Sequence, residues 1–128
     1  MKKGFTAGAF DLCHPGHLVM FEEAKKHCDY LIIGLHTNPK LDRPDKNQPL
    51  ESVYERFIRL KSCKWVDEII PYDTEKDLVN LLKILKPDLR ILSEEYKDKH
   101  FTGKELDIPI YFNERKHDYS TTELRKRI

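Results

Sequence analysis

The stretch Tyr30-Leu31-Ile32-Ile33-Gly34-Leu35 is an uninterrupted apolar run, bounded by Asp29 and by His36-Thr37-Asn38-Pro39. A run without polar alternation has no face to give to water. It suits a strand covered on both sides, which is the condition of a parallel sheet flanked by helices. The rest of the chain fits around such a strand. Residues 3–7 predict a strand before it. Leu18, Phe21, Ala24 and Cys28 recur at three- and four-residue steps, predicting a helix over residues 17–28. Residues 52–64 predict a second helix, with Val53, Phe57, Leu60 and Cys63 on its apolar side. A third strand is expected over residues 66–71, and a helix from Asp73 or Thr74 to Leu85, with Leu78, Leu81, Leu82 and Leu85 turned inward. Residues 89–92 and 108–112 predict the fourth and fifth strands. Ser120-Thr121-Thr122-Glu123 has the form of a capping box that opens a last helix. Strands and helices alternate throughout, so the expected architecture is α/β: a doubly wound, mostly parallel five-stranded sheet with helices on both faces.

Residues 1–128 allow one domain with one hydrophobic core. Lys and Arg total 23 against 22 Asp and Glu, a formal net charge of +1. This balance argues against a chain whose work is to coat nucleic acid or anionic membrane. The longest apolar runs fall far short of the ~20 residues that cross a bilayer, and no apolar signal region follows Met1. Cys13, Cys28 and Cys63 are odd in number and widely spaced, which fits reduced thiols and a cytoplasmic location.

In sheets of this kind ligands sit beyond the carboxyl ends of the strands. The first such loop holds His14-Pro15-Gly16-His17, between a predicted strand and a predicted helix. Proline fixes the bend there, and glycine clears a side chain from the ligand's path. Two imidazoles at this spacing can donate to phosphate oxygens that gain charge as the phosphorus becomes five-coordinate. Metal binding by Cys13, His14 and His17 is the alternative. A closed structural site needs four ligands, however, and Cys28 and Cys63 fall at the ends of helices. The stretch 39–49 carries three prolines and no apolar period, so it is expected to be a long functional loop.

Gly8-Ala9-Phe10-Asp11-Leu12-Cys13-His14-Pro15-Gly16-His17 resembles the signature of the HxGH nucleotidyltransferases, in the G-x-F-D-x-x-H-x-G-H form of the cytidylyltransferases. Near the other end, Arg115-Lys116-His117-Asp118-Tyr119-Ser120-Thr121-Thr122 is similar to that family's Arg-Thr-Glu-Gly-Ile-Ser-Thr-Thr segment. The resemblance covers essentially the whole chain, and its length is that of the glycerol-3-phosphate cytidylyltransferases. It implies a Rossmann-like fold and transfer of CMP from CTP to a small phosphorylated alcohol, with pyrophosphate released. Catalysis is then expected from His14, His17 and a loop lysine, Lys46, with Lys40 and Arg43 as competitors. Nucleotide binding is expected at Gly8, Ala9, Phe10, Gly16, Arg115, Ser120, Thr121, Thr122 and Arg125. Substrate contacts fall to Arg56, Lys64, Glu95 and Tyr96. Mg²⁺ is expected on the triphosphate, with no protein ligands of its own, and the subunits are expected to pair. Leu85-Lys86-Pro87-Asp88, followed by Tyr96-Lys97, also resembles the sugar-phosphate adenylyltransferases of heptose activation. ATP with a sugar phosphate is therefore the alternative substrate pair. After the fourth strand, Ser93-Glu94-Glu95-Tyr96-Lys97-Asp98-Lys99 departs from the cytidylyltransferases' Gly-Asp-Asp-Trp-x-Gly-Lys.

Overall fold

A computed structural model describes residues 1–114. The predicted helix at Ser120, and with it Arg115, Ser120, Thr121, Thr122 and Arg125, lies outside the described residues. Five strands form one sheet: β1 (Lys3–Gly8), β2 (Tyr30–His36), β3 (Glu68–Tyr72), β4 (Leu89–Ser93) and β5 (Ile110–Asn113). Their order is β3-β2-β1-β4-β5, and every pairing is parallel. Helices α1 (Pro15–Lys25), α2 (Val53–Lys61) and α3 (Glu75–Leu85) make the crossovers. Strand order reverses beside β1, where successive connections leave in opposite directions, and the crevice at such a reversal is where these sheets bind ligands.

Strand β2 shows why its sequence carries no polar alternation. Leu31, Ile33 and Leu35 pack with Phe21 and Ala24 of α1 and Leu60 of α2. Ile32 faces the other way and packs with Phe5, Tyr72, and Leu78 and Leu82 of α3. Both sides of the strand are therefore dry. The edge strand β3 contains Pro71, which lacks an amide donor and is tolerated where a ladder has only one neighbour.

The amino edge of the sheet is closed by aspartates. Asp29, Asp88 and Asp67 accept from the amides of Lys2, Lys3 and Leu31, each at 2.8 Å. Lys25 reaches the Asp67 carboxylate and the carbonyl of Asp29, tying α1 to this edge. The first helix differs from the sequence expectation. It starts at Pro15 rather than at residue 17, and Leu18 is 39% exposed instead of facing the core. His14 occupies the N-cap, which sets the earlier start, and Gly16, Phe21 and Ala24 are the residues the helix buries.

Gly34 has a packing role. A Cβ built there lies 2.6 Å from Cζ of Phe5, whose ring is fully buried under α3. Gly34→Ala is expected to cost about 1–3 kcal/mol through overpacking. Urea unfolding checks this, and an unchanged midpoint would show that the Phe5 ring moves aside.

Candidate active site

The strands being parallel, their carboxyl ends share one edge, and the loops after them build the site. Its centre is the loop from Ala9 to His14. Phe10 and Leu12 adopt left-handed backbone, with φ of 50° and 49°, although neither is glycine. Such conformations cost roughly 1–3 kcal/mol each and persist only where neighbouring structure over-determines them. Here that structure is a set of buried ionic side chains. The Asp11 carboxylate accepts from the amides of Leu50 and Glu51, both at 2.9 Å. Glu51 accepts in return from the Leu12 amide at 2.8 Å, and its other oxygen pairs with Arg59 at 2.5 Å.

Arg56 completes the set. Its guanidinium is 2% exposed and donates to five backbone carbonyls: Ala9 at 3.1 Å, His36 at 2.8 Å, Thr37 at 2.7 Å, Glu51 at 3.2 Å and Ser52 at 3.3 Å. The side chain thus fastens the first loop, the end of β2 and the start of α2 together. Burial lowers its pKa, while Asp11 and Glu51 pull it back up. With its donors turned onto the backbone, Arg56 acts as a clamp behind the site, and the structure gives no support to substrate contact by it.

His14 and His17 cap α1. Nδ1 of His14 accepts from the Gly16 amide at 3.1 Å, and Nδ1 of His17 accepts from the His14 amide at 3.3 Å. A ring nitrogen that accepts from an amide carries no proton, so in each neutral imidazole the N–H is on Nε2. The two rings stack with centroids 3.9 Å apart, and Phe10 meets His17 edge-on at 5.3 Å. The histidines are therefore a capping box and a pair of co-oriented N–H donors at once.

Two clefts meet at His17. The first, of about 390 Å³, is lined by Gly8, Ala9, Phe10, His14, Gly16 and His17 together with Glu95 and Tyr96 from the short 3-10 turn Glu94–Tyr96. It lies over the reversal of strand order, between the ends of β1 and β4. The second, of about 330 Å³, shares Ala9, Phe10 and His17 with the first and extends to Arg43, Lys46 and Asn47 of the loop after β2. Its other walls include His36 and Glu75, and Arg43 pairs with Glu75 at 3.3 Å. Burial lowers the pKa of His36, whose ring stacks on Tyr72 with centroids 4.7 Å apart.

Most of the described residues expected from the sequence converge on these clefts. Lys64 does not. It follows α2 at the amino edge of the sheet, with its ammonium 4.7 Å from the Trp65 ring, at the opposite end of the strands from the histidines. Sequence reasoning does not single out His36 or Glu75; His36 carries a signal as the titratable residue that ends the apolar run of β2, whereas Glu75 reads only as an acidic residue in the first turn of α3.

With that geometry in place, comparison with known proteins assigns the chain. The family model described as cytidylyltransferase-like matches residues 5–127. The chain belongs to the cytidylyltransferase-like family of nucleotidyltransferases. Among its relatives is the bifunctional protein HldE of Campylobacter jejuni subsp. jejuni serotype O:6, 31% identical over 97% of this chain. The HldE of Caulobacter vibrioides is 32% identical over the full chain. The chain spans 27% of the length of each of these relatives. Among solved structures, the lipopolysaccharide core biosynthesis protein of Thermoplasma volcanium GSS1 superposes with a TM-score of 0.71 at 24% identity, covering 94% of this chain and 99% of that one. The pantoate-beta-alanine ligase of Francisella tularensis superposes with a TM-score of 0.62 at 19% identity, covering 97% of this chain and 67% of that one. Both superpositions show the shared Rossmann-like fold.

The clamp makes two outcomes testable. Arg56→Met removes the buried donors and leaves several carbonyls unsatisfied, a loss of about 3–5 kcal/mol. Thermal melting checks this, and a shift within error would mean that the first loop holds itself. Cys13 lies between the strained Leu12 and His14, and burial raises its thiol pKa to about 11. At pH 8 its thiolate fraction, and so its alkylation by iodoacetamide, should be about a hundredfold below that of an ordinary thiol. Because the folded pKa is the higher one, the contribution to stability is intact below pH 9.0 and is lost as pH rises toward 11.

Proposed function

We propose that the chain transfers the AMP group of ATP to a sugar phosphate, giving a nucleoside diphosphate sugar and pyrophosphate. The observation that carries the transfer itself is that His17, stacked on His14, lines both clefts. A triphosphate in the first cleft and a phosphorylated acceptor in the second would meet at the two imidazoles.

The chemistry needs no base. A phosphate monoester is mostly dianionic at neutral pH, its second pKa being ~6, and it attacks the α-phosphorus directly. Nε2–H of His14 and His17 donate to the non-bridging oxygens as charge builds on them. Lys46 offsets the negative charge that the acceptor brings. Arg115, Arg125 and the segment Ser120–Thr122 are assigned to the β- and γ-phosphates. Mg²⁺ arrives as part of the nucleotide, held by its oxygens and water. The first cleft suits that role: its described carboxylates are Glu95 and Glu114, too few for an all-protein cage.

Two considerations favour ATP and a sugar over CTP and glycerol phosphate. Relatives at this level of identity include HldE proteins, and a structural neighbour is a lipopolysaccharide core biosynthesis protein. Both accord with the adenylyltransferase-like segments around Pro87 and Tyr96. The second cleft also offers hydroxyl partners, Asn47 and Glu75, beside its cations, which a polyol ring uses more fully than glycerol does. CTP with glycerol phosphate is the second reading, supported by the form of the first loop. Pairing of two copies belongs to the same proposal, with Tyr54 and Ile58 exposed along α2.

Pyrophosphate release with ATP or CTP, across sugar phosphates and glycerol phosphate, separates the readings. ATP with a sugar phosphate should give the highest kcat/KM, and a preference for CTP with glycerol phosphate reverses the assignment. His17→Ala is expected to lower kcat by about 10²–10³-fold, as loss of a transition-state donor does. The lost cap should cost only about 1 kcal/mol of stability. A near-normal rate would remove His17 from the reaction.

A further inference from the structure

We propose that His36, Asp42 and Glu75 form a binding site for a divalent transition-metal ion at the far wall of the second cleft. One nitrogen of His36 and one carboxylate oxygen each of Asp42 and Glu75 lie within 4.8 Å of one another. These residues come from three separate elements. His36 ends β2, Asp42 follows the 3-10 turn Pro39–Leu41, and Glu75 opens α3. Metal–ligand bonds of about 2.1 Å place neighbouring donors roughly 3–3.5 Å apart. Closing the trio is therefore a matter of side-chain rotation, which the exposed Asp42 and half-buried Glu75 allow.

His36 supplies the independent observation. It is 6% exposed, and its Nε2 lies 3.2 Å from the carbonyl of Asp73. A carbonyl only accepts, so Nε2 carries the proton and the lone pair is on Nδ1, which has no partner among the described residues. A backbone carbonyl behind the protonated nitrogen is the arrangement that orients and activates a metal-ligating imidazole. The Tyr72 ring stacked on it holds the plane of the ring in place. The carboxylates are similarly half engaged. One Asp42 oxygen accepts from the Glu75 amide at 2.7 Å, and one Glu75 oxygen pairs with Arg43 at 3.3 Å. The other oxygen of each has no partner among the described residues.

One imidazole with two carboxylates selects an ion such as Zn²⁺, Mn²⁺ or Co²⁺ over Mg²⁺ or Ca²⁺, which prefer oxygen alone. Three protein ligands leave coordination positions open toward the cleft. Arg43 is the competitor: its guanidinium holds one Glu75 oxygen, and its positive charge opposes an ion on the other. Binding of the ion does not depend on the proposed reaction. Its use, to hold an acceptor oxygen in the second cleft, does rest on that reading.

Titration of the full chain with Co²⁺, followed by its visible d–d absorption and by equilibrium dialysis, tests the site without any substrate. Wild-type protein should take up a single equivalent that excess Mg²⁺ does not displace. Asp42→Asn, at an exposed position where folding is not at stake, should weaken uptake about tenfold or more. Arg43→Gln should strengthen it, because the competing cation is gone. Uptake that persists in Asp42→Asn but is lost in His17→Asn would place the ion at the first-loop histidines and overturn the assignment. So would the absence of uptake, displacement by Mg²⁺, or weaker uptake in Arg43→Gln.

Discussion

A single buried guanidinium holds the working edge of this protein together. Arg56 reaches three segments far apart in sequence, and through their carbonyls it sets where the first loop, the end of β2 and the start of α2 stand. Desolvating a cation is expensive, and the five carbonyls with the nearby Asp11 and Glu51 carboxylates offset that cost. The left-handed backbone at Phe10 and Leu12 depends on this arrangement, and the placement of His14 depends on that backbone. Both clefts owe their shared corner to the clamp that Arg56 makes behind it.

The architecture was legible because its physical signals are local. An apolar run such as residues 30–35 has one sensible environment, and helices such as α2 and α3 carry their period openly. What escaped was set by contacts between distant segments. Arg56 reads in sequence, through the family resemblance, as a substrate contact, and only the fold shows its donors turned onto the backbone. Leu18 fits the helical period of α1, yet the helix buries Gly16, Phe21 and Ala24 and leaves Leu18 exposed. The resemblance puts Lys64, at the end of the second helix, among the substrate contacts. The direction of α2 carries it to the wrong end of the sheet.

The spacing of the first-loop histidines carries two readings at once. Their spacing suits two donors facing a phosphate, yet the same spacing is that of an N-cap and its third helical residue. The helix start and the reactive pair are one object, so pre-organisation of the donors comes from the hydrogen bonds that begin α1. The segment after β4 shows a different kind of economy. Glu95 and Tyr96 reach the first cleft on a single 3-10 turn, which leaves that wall free to vary without disturbing the sheet.

The capping role of the imidazoles ties the protein's tolerance of acid to its site. Each Nδ1 is an acceptor facing a main-chain amide. A proton added there turns that acceptor into a donor pointed at another donor, and two imidazolium rings stacked at 3.9 Å would also repel each other. Acidification therefore attacks the beginning of α1 and the paired donors in one event. A chain built this way ties its first helical turn to its reactive geometry, so that what disturbs one disturbs the other.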